Sequence, residues 1–566
     1  MIMKKITYLS LFIWLLNFSS LDAATKEGVY SKNGMVVSRS SLASEIGIEI
    51  MRMGGNAVDS AVATAFALSV AYPSAGNLGG GGFALVLDSD GTVFSLDHRE
   101  IAPSQSHRDM FLAEDGTANK DLSRRSRLAA GVPGSVDGLL ELHKRFGKLD
   151  RKIVMEPSIK LAREGFLVDF FLGRHISRYG GRLLSNPAAR KKFSVKGKLI
   201  SEGDLWVQPD LAETLALISE KGRAGFYEGK VAGFIVNEMK KHNGIISESD
   251  LKNYRSVWRL PVKTDYREYE VWTMPPPSSG ILILQMLNMI ERFDLKRMGW
   301  GSSELVHLVI EAEKRAYADR AEYLGDPDFV EMPVKMLISK KYARDRFSDF
   351  DPKKIMDSEK ISHGDVSSSE SRETTHLSVM DSEGMVVALT TTLNSPYGSK
   401  IVIPGAGFLL NNEMDDFSIK PNVMNQFDLI GRKANEISPM KRMLSSMSPT
   451  ILMKGGRPHL VTGSPGGSTI ITTVFQVIMN FVDHEMPLHQ AVGAPRFHHQ
   501  WKPDRILYET QAFSPDTRKN LEALGYRNFV EWGFGGGIGD ANSITMKDDR
   551  IYGVKDPRAD GIASGF

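Results

Sequence analysis

Two threonines and an asparagine fall where a β-hairpin brings their side chains to one edge of a sheet. The run Glu373-Thr374-Thr375-His376-Leu377-Ser378-Val379-Met380 has strand character, as has Met385 to Asn394, and between them lies the polar turn Asp381-Ser382-Glu383-Gly384. A three-residue loop over Ser382, Glu383 and Gly384, with Gly384 left-handed, makes Asp381 face Met385 and Thr374 face Thr392. Asn394, two residues on, then points to the same side. A four-residue loop puts Thr391 opposite Thr374 instead.

Other stretches carry charge chemistry. The strand His459 to Val461 runs into Thr462-Gly463-Ser464-Pro465-Gly466-Gly467, and a helix is expected from Ser468. The N–H groups of Gly466 and Gly467 then lie at a helix N-terminus, where negative charge is stabilised, so they are a candidate oxyanion hole or else a plain strand-to-helix turn. Three acids within Glu413-Met414-Asp415-Asp416 suit a metal cation, an ammonium group or a charged turn. Arg99, directly after a strand, is either a bidentate fork for a carboxylate or a structural ion pair. Three signals are set aside. Pro465 stands where a Gly-x-Ser-x-Gly elbow needs serine. His498 and His499 are adjacent and cannot share a face as metal ligands. Gly533 to Gly539 lacks the strand–helix context of a dinucleotide site.

The elements that must position these residues read as follows. Met35-Val36-Val37 is a strand. Ser40-Ser41 caps a helix carrying Ile46, Ile50 and Met53, and a second, nearly charge-free helix from Asn56 through Leu68 is expected to be buried. Asn77-Leu78-Gly79-Gly80-Gly81-Gly82 precedes a hairpin of Phe83 to Leu87 with Val93 to Asp97; the glycines allow either a close backbone crossing or a flexible turn. From about Arg124 to Lys353 the chain reads mainly helical, with helices over Pro157 to Glu164, Asp210 to Lys221, Lys230 to Lys241, Ser279 to Phe293 and Ser303 to Tyr323. Glu311, Glu313, Lys314 and Arg315 read as a solvated face of the last, and Asp351 to Glu373 as an exposed linker. Gly407 to Asn412 reads as a strand, and Pro421 to Pro439, carrying Phe427, as a long loop able to cover a cleft.

The chain of 566 residues is ample for a large core, and its net charge of +2 gives no ground for a nucleic-acid or membrane-surface partner. With no cysteine, disulfides, thiolate catalysis and cysteine metal sites are excluded. Lys4 and Lys5, the apolar run Ile6 to Phe18 and Asp22-Ala23-Ala24 have the order of an export signal over residues 1–24, or of an uncleaved anchor. The mature protein is expected in the periplasm or medium.

Taken together, these segments resemble the bacterial gamma-glutamyltransferases. The resemblance rests on Glu373-Thr-Thr-His-Leu-Ser-Val, Leu409-Leu-Asn-Asn-Glu-Met-Asp-Asp-Phe, Leu444-Ser-Ser-Met-Ser-Pro-Thr and Thr462-Gly-Ser-Pro-Gly-Gly. It is extended by Gly54-Gly55-Asn56-Ala57-Val58-Asp59, the glycine run, Arg99-Glu100, Ala494 to Trp501 and Asp556-Pro557-Arg558. It implies an α+β fold, a four-layer αββα sandwich of the N-terminal-nucleophile hydrolase type, formed jointly by residues 25–373 and 374–566 after self-cleavage between Glu373 and Thr374. It also implies that Thr374 is the nucleophile and Thr392 its orienter, and that Gly466 and Gly467 hold the oxyanion. Arg99, Ser445 and Ser446 would hold the substrate α-carboxylate, and Asn394, Glu413 and Asp416 the α-ammonium. No cofactor and no metal are implied. The implied partners are glutathione and other γ-glutamyl compounds, with water, amino acids or peptides as acceptors. Glu413 stands where some relatives have Gln, Phe427 where a phenol is familiar and Met443 where Pro is expected. Two rivals remain: a cephalosporin or glutaryl acylase of the same superfamily, and an exported binding protein that keeps the fold uncut.

Overall fold

The hairpin forms with the shorter of the two loops. Thr375–Asp381 pairs antiparallel with Val386–Thr392, Thr375 facing Thr391 and Met380 facing Val386; one step further along, Thr374 is set against Thr392. Asp381 N–H donates to Met385 O at 3.1 Å, and Gly384 takes a φ of 84°, a conformation that a residue with a Cβ resists. Asp381 fastens the turn. Its Oδ1 accepts from Glu383 N–H and Met385 N–H, each at 3.0 Å, and its Oδ2 accepts from Ala57 N–H at 2.9 Å. The last bond satisfies one of the N–H groups that a helix leaves unpaired in its first turn, and so ties the hairpin to the helix Ala57–Ala71.

This computed structural model describes residues 27–361, 374–420, 423–532 and 537–566. The segment expected to be an export signal, Glu373, the end of the linker before it and glycines 533 and 535–536 lie outside the described residues.

Two seven-stranded sheets face each other. In the first, Gly34–Ser38, Thr375–Asp381, Val386–Thr392, Gly81–Leu87 and Val93–His98 lie side by side in that order, with Ile562–Gly565 and Val257–Arg259 at the edges. The second runs Val29–Ser31, Arg550–Val554, Ser543–Lys547, Arg457–Thr462, Thr450–Lys454, Tyr269–Thr273, Val262–Tyr266. Met35, Val37, Phe83 and Met380 from the first sheet meet Ile451, Val461 and Ile544 from the second in one buried cluster. The outer face of the first sheet, with Val36, Ala84 and Leu377, packs on Ala57–Ala71 and its neighbours. The outer face of the second, with Leu452 and Leu460, packs on Gly280–Ile290, Ser303–Tyr323 and Thr469–Val482. The result is the αββα sandwich. Because Met380 points between the sheets, alternation points Ser378, His376 and Thr374 there too.

The helix Ala57–Ala71 starts where expected. Asn56 Oδ1 accepts from Val58 N–H and Asp59 N–H at 3.0 Å, and Asp59 Oδ2 accepts from Asn56 N–H at 3.1 Å, a reciprocal cap. Every residue of the helix is buried, and its alanines and serines let it lie close to the sheet. The glycine run is a close crossing and not a slack turn. A Cβ on Gly79 would strike Leu409 O, one on Gly80 Thr392 O, and one on Gly82 Thr390 O.

Four expectations need correction. Glu311, Glu313, Lys314 and Arg315 are buried, because the helix Ser303–Tyr323 is covered on its outer side by the segment after Asp351. Three of the charges are matched within the helix, Arg315 Nη1 meeting Glu311 Oε2 at 2.6 Å and Lys314 Nζ meeting Glu311 Oε1 at 3.0 Å, while Glu313 Oε2 accepts from His499 N–H at 2.8 Å. The first part of the supposed linker is docked, with Trp501 Nε1 donating to Ser358 O at 2.9 Å and Lys314 Nζ to Met356 O. Residues 407–412 make only isolated bridges, Val402 with Leu409 and Gly79 with Leu410. The helix expected from Pro157 begins earlier, at Arg151, capped by Asp150 Oδ1 accepting from Lys152 N–H at 2.8 Å.

Replacing Gly80 by alanine drives a methyl group into Thr392 O, which central strand pairing holds in place. Gly80→Ala is expected to lose about 2–4 kcal/mol, read as a lower midpoint in urea unfolding; an unchanged midpoint contradicts the close crossing.

Candidate active site

At the start of its strand, Thr374 is buried, and its Oγ1 donates to Thr392 Oγ1 at 3.3 Å. Asn394 N–H donates to the same Thr392 Oγ1 at 2.8 Å. Asn394 has a left-handed φ of 74°; its Nδ2 donates to Asn412 O at 2.9 Å, while its buried Oδ1 has no partner among the described residues. The hydroxyl pair is braced from behind by Asn77. Asn77 Nδ2 donates to Thr391 Oγ1 and to Thr392 O, both at 3.0 Å, and its Oδ1 accepts from Gly80 N–H at 2.9 Å. Asn77 had been read only as the start of the glycine run; its part in holding Thr392 comes from a contact between strands that no local spacing reveals.

The neighbour on the same face, His376, is no base. Its ring lies between Thr390 Oγ1 at 2.8 Å and Ser378 Oγ at 3.0 Å, and full burial pushes it down to about 3, so it stays neutral. A Cβ on Gly463 would strike this ring. That contact brings the turn 463–467 to the end of the hairpin where Thr374 sits. Gly466 and Gly467 have φ of 138° and 56°, and neither N–H donates to an acceptor among the described residues. The helix Thr469–Val482 begins directly beyond them, so its positive end points the same way.

Arg99 is the buried centre of a cluster of opposite charge. Its Nη1 donates to Glu413 Oε1, its Nη2 to Asp416 Oδ2 at 2.6 Å, and its Nε to Met443 O at 3.2 Å. Glu100 Oε2 lies 3.5 Å from Nη1. Burial by itself lowers the Arg99 pKa, but Glu413, Glu100 and Asp416 together raise it above the ordinary value. Burial also raises all three acids against the pull of Arg99: Asp416 to about 6, Glu100 to about 7, and Glu413 well above its usual range. Glu413 and Asp416 come from a short 3-10 turn, Glu413–Asp416, while Asp415 faces away to Ser123 Oγ at 2.5 Å and Arg124 Nε at 3.2 Å. Arg99 Nη2 also reaches Leu444 O at 3.5 Å, which sets Ser445 and Ser446 next to the guanidinium. Ser446 Oγ is buried without a partner among the described residues. Ser445 is braced by Arg320, whose Nε donates to Ser279 Oγ at 2.9 Å while Ser279 Oγ donates to Ser445 O at 2.6 Å. Burial lowers Arg320 to about 10. It bonds to Ser279, a residue 41 positions away in the chain, so nothing in its local pattern marked it.

The loop 423–439 closes over the group. Asn425 Nδ2 donates to Asp416 Oδ1 at 3.3 Å, and a Cβ on Gly467 would strike the Phe427 ring. Asn425 was also missed, since an asparagine in a polar loop carries no signal. The arrangement therefore joins a buried pair of threonine hydroxyls, two glycine N–H groups without an acceptor among the described residues, and a buried guanidinium bonded directly to the acids around it.

A family model described as gamma-glutamyltranspeptidase matches residues 43–566. A glutathione hydrolase proenzyme of Escherichia coli K12 is 46% identical over 542 residues, covering 95% of this chain and 93% of that one. Among solved structures, a cephalosporin acylase from Bacillus halodurans superposes with a TM-score of 0.83 at 27% identity, covering 97% of this chain and 98% of that chain. A gamma-glutamyltranspeptidase from Helicobacter pylori superposes with a TM-score of 0.56 at 41% identity, covering 59% of this chain and 94% of that chain.

Removing the central cation strands three buried acids. Arg99→Met is expected to lose about 3–5 kcal/mol at pH 8, measured by urea unfolding. The folded-state pKa values of the acids then rise further above their unfolded values, so the folded state binds more protons and the loss shrinks as pH falls toward 5. Equal stability of variant and parent at pH 8 contradicts the cluster.

Proposed function

The chain belongs to the gamma-glutamyltranspeptidase family, and from that premise we propose that it is made as a precursor, cuts itself before Thr374, and uses the freed threonine to hydrolyse and transfer γ-glutamyl groups. Relatives at 46% and 41% identity are named glutathione hydrolase proenzymes, ahead of acylase proenzymes at 36% and 35%, and glutathione is the natural donor of this reading. Residues 1–24 are the export signal, 25–373 the large fragment and 374–566 the small one. With that signal removed, the processed protein works in the periplasm or medium.

The observation that carries the reading is the Thr374–Thr392 hydroxyl pair, linked through Asn394 and Asn412 to the acidic turn that holds Arg99. In the precursor, Thr374 Oγ1 attacks the Glu373 carbonyl carbon, the peptide C–N bond breaks as the nitrogen takes a proton, and water hydrolyses the ester. Glu373 is left with a carboxylate and Thr374 with an α-amine. That amine, with a reference pKa of about 8, takes the proton from Oγ1 as Oγ1 attacks the γ-carbonyl of the donor. Thr392 orients the hydroxyl. Gly466 N–H and Gly467 N–H hold the oxyanion; losing one such donor typically costs about 10²–10³ in rate. The tetrahedral centre collapses, the Thr374 ammonium returns its proton to the leaving amine, and Cys-Gly departs from glutathione. Water or an acceptor amine then attacks the γ-glutamyl ester, with the Thr374 amine again moving the proton. The donor head group meets its opposite charges: Arg99, Ser445 and Ser446 for the carboxylate, and Asp416, Glu413 and the free Asn394 Oδ1 for the ammonium. Amino acids or short peptides are the acceptors.

The acylase reading is separated by the α-ammonium, which a glutaryl group lacks. With equal leaving groups, the γ-glutamyl anilide is expected to exceed the glutaryl anilide by at least about 100-fold in kcat/KM, because the glutaryl compound leaves buried acids unpaired. The donor ammonium needs an ionised Asp416, so KM for the γ-glutamyl anilide is expected to rise as pH falls through about 6, narrowing the preference. Faster turnover of the glutaryl compound reverses the reading.

A further inference from the structure

Phe427 has no hydroxyl with which to fasten the loop over the active site, yet the loop is held. Its fastening lies in a different segment. Gln500 is buried, and its Nε2 donates to Phe427 O at 3.1 Å and Asp428 O at 2.9 Å, with Lys502 O at 3.4 Å as a third acceptor. Asp428 is left-handed at a φ of 55°, which curls the chain so that consecutive carbonyls reach one donor. Its carboxylate is taken by Arg505 Nη2 at 2.8 Å. On the other side Gln500 Oε1 lies 2.9 Å from His498 Nε2, and His498 Nδ1 lies 2.8 Å from Thr472 Oγ1.

The proton positions follow. The Gln500 NH₂ group must face the carbonyls, so its oxygen faces His498 and accepts from Nε2–H; Nδ1 is then the acceptor side of the ring and shares the Thr472 hydroxyl proton with Thr469 O, 3.2 Å from Thr472 Oγ1. Thr472 lies in the first turn of the helix Thr469–Val482, which follows the Gly466–Gly467 turn. One hydrogen-bonded chain thus runs from that helix through His498 and Gln500 to the two loop carbonyls that flank Asp428, and the Phe427 ring rests on Gly467.

We infer that Gln500 is a positioning residue for the loop 423–439: it seats Phe427 on the Gly466–Gly467 turn and Asn425 on Asp416, and so sets donor affinity and the partition between water and acceptor. The inference rests on the γ-glutamyltransferase reading for its kinetic consequence, and on the hydrogen bonds alone for its structural one.

Gln500→Glu places carboxylate oxygens against the carbonyls, whereas Gln500→Leu removes the donor without adding charge. At pH 8 both are expected to raise KM for a γ-glutamyl anilide by about tenfold, as the loss of two buried hydrogen bonds implies, with kcat within about threefold of the parent. The fraction transferred to glycylglycine should change alongside. For Gln500→Glu the ratio of its KM to the parent's should fall as pH drops toward 5, because the glutamic acid regains an O–H donor; for Gln500→Leu the ratio should stay flat. KM within twofold of the parent in both variants, or the same flat ratio in both, overturns the inference. Limited proteolysis reads the clamp without substrate: both variants should be cut faster than the parent within 423–439, and equal rates overturn it even if the parent turns over no γ-glutamyl compound. If neither Gln500 variant folds, Arg505→Met, at the partly exposed end of the clamp, should raise KM about threefold and speed the cut; no change in either overturns it.

Discussion

A nucleophile that supplies its own base from its own α-amine must be a chain end, yet Thr374, proposed for that role, stands at the head of a strand in the middle of a sheet. Everything else in the structure accommodates that constraint. The strand Thr375–Asp381 is paired on one side with Gly34–Ser38 and on the other with Val386–Thr392, which in turn pairs with Gly81–Leu87. The two parts of the chain are interleaved in one sheet, so the bond before Thr374 is not what holds them together. Asp381 adds an anchor at the far end of the strand by bonding both its own turn and the helix beginning at Ala57. A strand fixed at its far end and along both edges can lose its preceding peptide bond without losing its place.

The second constraint is electrostatic. Burying one guanidinium and three carboxyl groups costs free energy unless each is matched. Here Arg99 is the shared partner, and burial lifts Asp416 and Glu100 into the range where their charge depends on pH near neutrality. The proposed α-amino-acid head group would suit such a cluster because it brings a carboxylate for the guanidinium and an ammonium for the acids that share it. A group lacking either charge leaves a buried partner unmatched, which is how a deep site turns desolvation into selectivity.

The parts of this account that are local in the chain were legible in the sequence. The hairpin itself was readable from the strand pattern on each side of its turn, with two registers left open of which the one with Gly384 left-handed formed, and the helix at Asn56 from its cap and its lack of charge. The buried face of Ser303–Tyr323 was misread because burial of charges depends on what covers a helix, here the segment after Asp351, and not on the helix's own pattern. Residues 407–412 looked like a strand but find only single bridging partners, since the glycine run crosses them at a point. Asn77, Arg320, Asn425 and Gln500 act through bonds to residues distant in sequence, where residue type alone offers no signal. The family resemblance supplied roles for Arg99 and the acidic turn that charge pattern alone would have given to the surface.

The central claim is that a threonine becomes the working chain end by cutting its own precursor. N-terminal sequencing of the smaller fragment of the purified protein tests it most directly. The account predicts Thr-Thr-His-Leu, beginning at Thr374. A fragment starting at any other residue, or an uncut chain that consumes glutathione at full rate, would contradict it.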